Sequence, residues 1–75
     1  MKSAFLEHVK DVLEIEDRDL SLSDRFRDLG EWDSLAFLSM ISMIDDEYDV
    51  VIDGKTFENL HTLEDVMNEI QARRQ

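Results

Sequence analysis

The chain has 75 residues, with 19 acidic and 8 basic side chains and no cysteine. This length is sufficient for one small domain, and we expect a single domain over residues 1–75. The absence of cysteine excludes disulfides and thiolate metal sites. The first residues show no apolar secretion signal, and no apolar run is long enough to span a membrane, so we expect a soluble cytoplasmic protein. We also expect this protein to be a monomer.

Negative charge is concentrated in one part of the chain. Residues 28–54 contain eight acidic side chains and neither lysine nor arginine. This segment would repel the phosphates of nucleic acid, which is therefore not an expected partner. The acidic segment either attracts a partner protein that has a basic patch or only keeps the surface solvated, and composition alone leaves both interpretations open.

The chain begins with a predicted helix followed by a long loop. Residues 2–15 have apolar side chains at helical spacing, namely Phe5, Leu6, Val9, Val12 and Leu13. The loop over residues 16–33 carries Leu20, Leu22, Phe26, Leu29 and Trp32, so we expect it to be tied down and to close one side of a helical bundle. A helical turn is predicted to start at Ser21 or Ser23, because Ser21 and Asp24 have the spacing of a capping box.

A second helix is predicted over residues 34–48, ending at Glu47 or Tyr48. One face is apolar and is expected to pack inward, namely Phe37, Met40, Ile41, Ile44 and Tyr48. The polar residues expected to point outward are Ser39, Ser42, Asp45, Asp46 and Asp49. Leu35 and Leu38 break this pattern, because they lie on the outward flank next to Ser34. They either contact a partner or are covered by the long loop.

Two further helical segments complete the predicted fold. Residues 49–55 form a connector with an extended part and a turn at Gly54, and residues 56–60 form one short helical turn. The last helix starts at Thr62, which has capping-box spacing to Asp65, and ends with Arg73 and Arg74. The sequence therefore predicts an all-α, antiparallel four-helix bundle with three main helices, one short helix and a long first loop.

The common catalytic and metal-binding patterns are missing. A calcium loop that starts at Asp49 would have Val51 and Leu60 where it needs oxygen ligands, so no metal site is predicted. Loose binding of a divalent cation stays open for the aspartates of this region, Asp45, Asp46, Asp49 and Asp53. The two histidines, His8 and His61, form no serine–histidine–acid set, and we do not expect an enzyme.

The most informative stretch is Asp33-Ser34 at the start of the second helix. Both residue types are preferred at helix N-caps, because their oxygens accept hydrogen bonds from the unpaired amides of the first turn. One interpretation is that the pair only starts the helix. The other is that the Ser34 hydroxyl, held beside a carboxylate, is an attachment point.

In this context the sequence resembles the acyl carrier protein family, and the resemblance covers nearly the whole chain. It includes the first amphipathic helix and four short matches: Asp28-Leu29-Gly30 at the end of the loop, Asp33-Ser34-Leu35, Asp46-Glu47-Tyr48-Asp49-Val50 and Thr62-Leu63-Glu64-Asp65. The motif Asp-Ser-Leu is weak by itself, but it is specific at this length and charge. The family fold is a four-helix bundle.

The resemblance implies a role and a cofactor. Ser34 would carry a covalent 4′-phosphopantetheine arm, transferred from coenzyme A by a separate phosphopantetheinyl transferase (a holo-carrier synthase), with Asp33 and Leu35 as its flanking motif residues. Acyl groups would be held on the arm as thioesters, so the protein would need no catalytic residues of its own. Asp33 would also be placed to ligate the magnesium of the transferase.

The resemblance further implies a partner surface, formed by Leu35, Leu38, Asp45, Asp46 and Asp49. The expected partners are acyl-transfer, ligase or synthase enzymes with basic docking patches. Four residues could line a cargo pocket or belong to the ordinary core: Phe37, Met40, Ile44 and Phe57.

Several positions differ from the common fatty-acid carriers. Ala36 and Ser39 stand where acids are frequent, the loop has an extra residue at Glu31-Trp32, and Asp53 replaces a frequent proline. The cargo is therefore open among fatty acyl, polyketide or hydroxyacyl units and the amino acid of a peptidyl or aminoacyl carrier. A non-modified acidic helical interaction module is the alternative from a different functional class.

Overall fold

The computed structural model describes residues 2–74, which fold into four helices and contain no strand. The helices are α1 (Lys2–Leu13), α2 (Ser34–Tyr48), α3 (Gly54–Phe57) and α4 (Leu63–Arg74), and a 3-10 turn (Phe26–Asp28) lies in the long first loop. This confirms the predicted all-α fold of three main helices and one short helix. No helix in the described part is long and apolar enough to cross a membrane.

Helix α1 ends two residues before the predicted boundary. Glu14 has a left-handed φ of 56°, and its amide donates to the carbonyl of Asp11 at 3.2 Å. The amide of Ile15 donates to the carbonyl of Lys10 at 2.9 Å. These two hydrogen bonds form a Schellman motif, which ends a helix by satisfying its last carbonyls. Ile15 is buried even though it lies beyond the helix.

The long loop is tied to the start of α4. The amides of Leu63 and Glu64 donate to the carbonyls of Asp24 at 3.0 Å and Leu22 at 2.9 Å. These bonds use amides that a helix start otherwise leaves unpaired. All five apolar residues of the loop are buried or packed against the core, which confirms that the loop closes one side of the bundle.

The helical turn predicted at Ser21 or Ser23 is wrong. The capping contact itself is present, because the amide of Ser21 donates to the Asp24 carboxylate at 2.8 Å. However, the carbonyls of Leu22 and Asp24 already accept hydrogen bonds from α4, so they are engaged outside the loop. The segment forms a non-helical turn, and the short 3-10 turn follows at Phe26–Asp28.

Helix α2 packs with its predicted face inward. Met40 and Ile44 are fully buried, and the other three residues of that face are half-buried against the core. Burial extends to the neighbouring flank, because α1 packs against α2. Ala36 and Met43 are buried there, and Ser39, predicted to point outward, is half-buried.

Helix α3 begins at Gly54, two residues earlier than predicted. Asp53 is its N-cap, and the Asp53 carboxylate accepts hydrogen bonds from the Thr56 amide at 3.0 Å and the Thr56 hydroxyl at 2.8 Å. These bonds favour the charged form and lower the pKa of Asp53. Gly54 is therefore the first residue of a capped helical turn, and Phe57 is the one buried residue of α3.

The start of α4 is the predicted capping box. The Asp65 amide donates to the Thr62 hydroxyl at 3.1 Å, and the Asp65 carboxylate accepts from the amides of Thr62 at 3.1 Å and His61 at 2.9 Å. The last turn contains Arg73 and Arg74. The reciprocal hydrogen bonds fix where the helix begins.

Candidate functional site

Ser34 is the first residue of α2, and its side chain is exposed. The N-cap is Asp33, which is extended (φ −155°, ψ −173°) and accepts a hydrogen bond on Oδ1 from the Ala36 amide at 2.7 Å. Capping of α2 is therefore performed by Asp33. The Ser34 hydroxyl makes no hydrogen bond among residues 2–74.

A cleft of about 530 Å³ lies beside Ser34, between the loop, α2 and α3. It is lined by Arg27, Trp32, Asp33, Ser34, Phe37, Gly54, Phe57 and Glu58. The cleft therefore joins the start of α2 to the aromatic rings of Trp32, Phe37 and Phe57, and its lining also contains three charged side chains, those of Arg27, Asp33 and Glu58.

Aromatic rings form the walls of the cleft. The Trp32 indole is stacked on the Phe57 ring, with centroids 6.2 Å apart and planes 5° apart. Phe37 meets Phe57 edge to face at 5.3 Å, and Phe26 meets Trp32 edge to face at 4.9 Å. Such aromatic pairs stabilise the folded state by more than the free energy expected from their buried area alone. The loop before Ser34 is thus packed onto α3.

An ion pair braces the loop just before the site. Arg18 donates to both carboxylate oxygens of Glu31, at 2.7 Å and 3.2 Å. The hydrogen bonds from Arg18 lower the pKa of Glu31. Two-point contacts between arginine and a carboxylate restrict the orientation of both groups, so Glu31, three residues before Ser34, is held at a defined position.

Leu35 and Leu38 are exposed next to Ser34, at 71% and 59% of their surface. The alternative that the long loop covers them is therefore wrong. A shallow groove continues along this face of α2, lined by Leu38, Ser39, Ser42, Met43, Asp46 and Glu47. The result is an apolar spot that leads into a polar and acidic strip.

The acidic residues of the predicted partner surface lie toward the far end of α2. Asp45 and Asp46 are exposed on the helix, about 17–18 Å along its axis from Ser34 at 1.5 Å per residue. Asp49 is exposed after the helix, in a left-handed conformation with φ 57°, and its amide donates to the Asp45 carbonyl at 2.9 Å. Aspartate is one of the few residues that adopt this conformation readily.

A metal site is not formed by these carboxylates. No group of three or more histidine, cysteine, aspartate or glutamate side chains within residues 2–74 is placed to hold an ion. The loose divalent site considered for Asp45, Asp46, Asp49 and Asp53 is therefore absent from the described chain. His8 lies 3.6 Å from Glu47 between α1 and α2, and His61 is exposed at the start of α4, so the two histidines lie on different elements.

Sequence reasoning missed the part that Arg27 and Glu58 play at the site. Arg27 lies in the long loop, where nothing in the apolar pattern marks it, and Glu58 was not placed at any site. Trp32 was expected only to close the bundle. Its position two residues before Ser34 was the one pattern that could have indicated an aromatic cleft. Of the four pocket candidates, Met40 and Ile44 are fully buried core residues, whereas Phe37 and Phe57 line the cleft.

A comparison with protein families identifies the family of this chain. A family model described as a phosphopantetheine attachment site matches residues 3–70. Searches of the curated proteins and of the solved structures found no match. Because the match covers most of the chain, the chain belongs to this family, whose members carry a covalently attached 4′-phosphopantetheine group and include the acyl carrier proteins.

Proposed function

We propose that this family member is a stand-alone carrier protein that holds acyl intermediates on a 4′-phosphopantetheine arm attached to Ser34. When bound, the arm supplies a terminal thiol that holds the acyl group as a thioester. The protein contributes an attachment point, a surface beside it and a docking face. The carrier itself catalyses no reaction, and other enzymes act on its cargo in fatty-acid, polyketide or related biosynthesis.

The exposure of Ser34 at the first position of α2 is the observation that carries this proposal. The hydroxyl is reachable from solvent, and the helix does not need it as a cap, since Asp33 provides the cap. Substitution of the hydroxyl by a phosphodiester would therefore leave the observed hydrogen bonds of the helix start intact.

The surroundings of Ser34 also fit the attached group. The N-terminus of α2, a helix of 15 residues, favours a phosphodiester anion because of the orientation of its backbone dipoles. The aromatic cleft next to it offers an apolar surface, and Arg27 and Glu58 in its lining offer polar contacts. These residues therefore suit an attached group that begins with a charged phosphodiester and continues with both apolar and polar atoms.

Attachment requires a transferase, since no base contacts the Ser34 hydroxyl in the described chain. A bond forms between Ser34 Oγ and the phosphorus of coenzyme A that carries the pantetheine. The phosphorus–oxygen bond of the diphosphate breaks, adenosine 3′,5′-bisphosphate leaves, and a base of the transferase takes the hydroxyl proton. Asp33 would assist through its second carboxylate oxygen, which makes no hydrogen bond among residues 2–74 and can ligate the magnesium of the transferase.

The docking face proposed for the transferase and for later enzymes is the outward side of α2. Leu35 and Leu38 supply an apolar anchor beside the attachment point, and exposed apolar residues of this size at such a place favour a contact with a partner. Asp45, Asp46 and Asp49 supply negative charge that attracts a basic patch and speeds encounter. The partner is thus an enzyme whose surface combines an apolar pocket with lysine or arginine side chains.

The experiment that tests this function is intact mass spectrometry after incubation with coenzyme A and a promiscuous phosphopantetheinyl transferase. The wild type should gain the mass of one phosphopantetheine group. Ser34→Ala should gain nothing, while Ser3→Ala, a control at an exposed serine on α1 and outside the docking face of α2, should be modified like the wild type. Modification of Ser34→Ala would refute the assignment of the attachment residue. An unmodified wild type would favour the alternative of a non-modified interaction module.

A further inference from the structure

Helix α3 forms one wall of the cleft but is too short to be stable alone. It has four residues, Gly54–Phe57, and isolated helices of this length do not form in water. Its position must therefore depend on contacts from outside the helix. The structure shows two arginines, one at each end of α3, that provide such contacts.

Arg27 holds the C-terminal end of α3. From the long loop, its guanidinium donates to the carbonyl of Phe57 at 2.7 Å and to the carbonyl of Leu60. The same group lies 4.8 Å from the centre of the Phe26 ring. Because the guanidinium is planar and rigid, two hydrogen bonds and one ring contact fix it more closely than a single charge contact would.

Arg73 holds the N-terminal end of α3. From α4, its guanidinium donates to the carbonyl of Val51 at 2.8 Å and to both Asp53 Oδ1 and Thr56 Oγ1 at 3.3 Å. Asp53 and Thr56 are the two residues whose side chains form the cap of α3. The short helix is therefore held between the long loop and α4.

We propose that Arg27 is a positioning residue that fixes α3, and with it Phe57, as the far wall of the cleft beside Ser34. Phe57 cannot keep its stacking contact with Trp32 unless the backbone of α3 stays in place. Arg27 thereby sets how closely the cleft surrounds a group attached to Ser34. This role of Arg27 toward an attached group rests on the proposed function, because it requires the arm on Ser34.

The first test needs no attached arm. In Arg27→Gln, amide hydrogen exchange at Glu58 and Leu60 should be about tenfold faster, as expected when a hydrogen bond to a charged donor is lost locally. Acrylamide should also quench the fluorescence of Trp32, the single tryptophan, more strongly. Amides in the middle of α1 and α2 should keep their protection, which shows that the bundle remains folded.

Two further variants separate positioning from charge. Arg25→Gln is the matched control, because Arg25 lies in the same loop and its side chain pairs with Asp28 at 3.5 Å, without a hydrogen bond or ion pair to α3. Its exchange and quenching should equal those of the wild type. Arg27→Lys keeps the positive charge but cannot bridge two carbonyls as a planar guanidinium does, so it should resemble Arg27→Gln. Wild-type behaviour of Arg27→Gln or Arg27→Lys would overturn the proposal.

The second test uses the loaded protein. Because the chain has no cysteine, the thiol of the attached arm is the single thiol, and its rate of alkylation by iodoacetamide reports its exposure. Loaded Arg27→Gln should be alkylated faster than loaded Arg25→Gln, and equal rates would overturn the role of Arg27 toward the arm. Failure of every variant to be loaded would instead refute the function proposed for Ser34, while the exchange and fluorescence results would still decide whether Arg27 holds α3.

Discussion

The indole of Trp32 and the ring of Phe57 are stacked with their planes 5° apart and their centroids 6.2 Å apart. This contact joins the loop immediately before Ser34 to helix α3. A double-mutant cycle with Trp32→Leu and Phe57→Leu should therefore give a coupling free energy of unfolding of about 0.5–1.5 kcal/mol. The measurement is urea unfolding of the wild type, both single variants and the double variant. Additive effects would show that the two rings do not stabilise each other.

The carboxylate of Asp33 should have two separable roles. Asp33→Ala removes the cap of α2 and should lower the free energy of unfolding by about 1 kcal/mol, whereas Asp33→Asn can still accept the Ala36 hydrogen bond and should stay within a few tenths of the wild type. If Asp33 also ligates the magnesium of the transferase, Asp33→Asn should be modified more slowly despite its unchanged stability. Urea unfolding and initial rates of modification check these expectations. If Asp33→Asn were modified at the wild-type rate, the proposed role of Asp33 as a magnesium ligand would be refuted.

The stabilisation that the capping box of α4 gives to the folded protein should depend on pH. Hydrogen bonds from the amides of His61 and Thr62 lower the pKa of Asp65 in the folded state. A lowered folded pKa means that the stabilisation is present above the unfolded pKa, about 3.9 for aspartate, and is lost as the pH falls through the folded pKa. The difference in free energy of unfolding between wild type and Asp65→Ala should thus be full at neutral pH and shrink below about pH 4.

Glu64→Ala is the control for that series. Glu64 is the neighbouring acid in the first turn of α4, and it is exposed, while the capping hydrogen bonds are made by Asp65. Its substitution should change stability little, and the pH dependence should follow that of the wild type. A difference between wild type and Asp65→Ala that stayed constant from pH 7 to pH 3 would show that the charged carboxylate does not stabilise the helix start.

Substitutions in the apolar part and in the acidic part of the proposed docking face should affect transferase binding in different ways. Leu38→Ala should weaken transferase binding at every ionic strength, by roughly 1–2 kcal/mol if the side chain is buried on docking. Replacement of Asp45 and Asp46 by asparagine should slow association mainly at low salt, because salt screens exposed charges. The rate of Ser34 modification against transferase concentration, at low and high salt, measures both effects.

Val51→Ala is the control for the docking series. Val51 is also an exposed apolar residue, at 66% of its surface, but it lies beyond α2, in the connector to α3, and is not one of the proposed docking residues. It should leave the modification rate unchanged. If the Leu38 and aspartate variants match the wild type at low salt while their folds are intact, the acidic strip only keeps the surface solvated.

The fold was largely predictable because apolar spacing and caps act locally. The capping box of Thr62 and Asp65 and the inward face of α2 depend on residues three or four apart, and both are present. The helical turn at Ser21 failed for a long-range reason, since the carbonyls that it needed are engaged by the amides of α4. The spacing of residues within the loop does not indicate that amides of α4 compete for these carbonyls.

The candidate site was predictable in part. Ser34, Leu35 and Leu38 are exposed where the pattern put them, because the face of a helix follows from residue spacing. The cleft could not be derived in this way. Arg27 and Phe57 are thirty residues apart in the chain and meet through a side chain and a carbonyl, a contact that depends on how the loop is folded.

The central claim is that Ser34 is the residue that carries the arm. The most direct measurement is peptide mapping by tandem mass spectrometry of wild-type protein modified by the transferase, with fragmentation that keeps the phosphodiester intact. The claim predicts the added group on Ser34 and on none of the other five serines. Its location on any other residue, or complete absence of modification from the correctly folded protein, would contradict the claim.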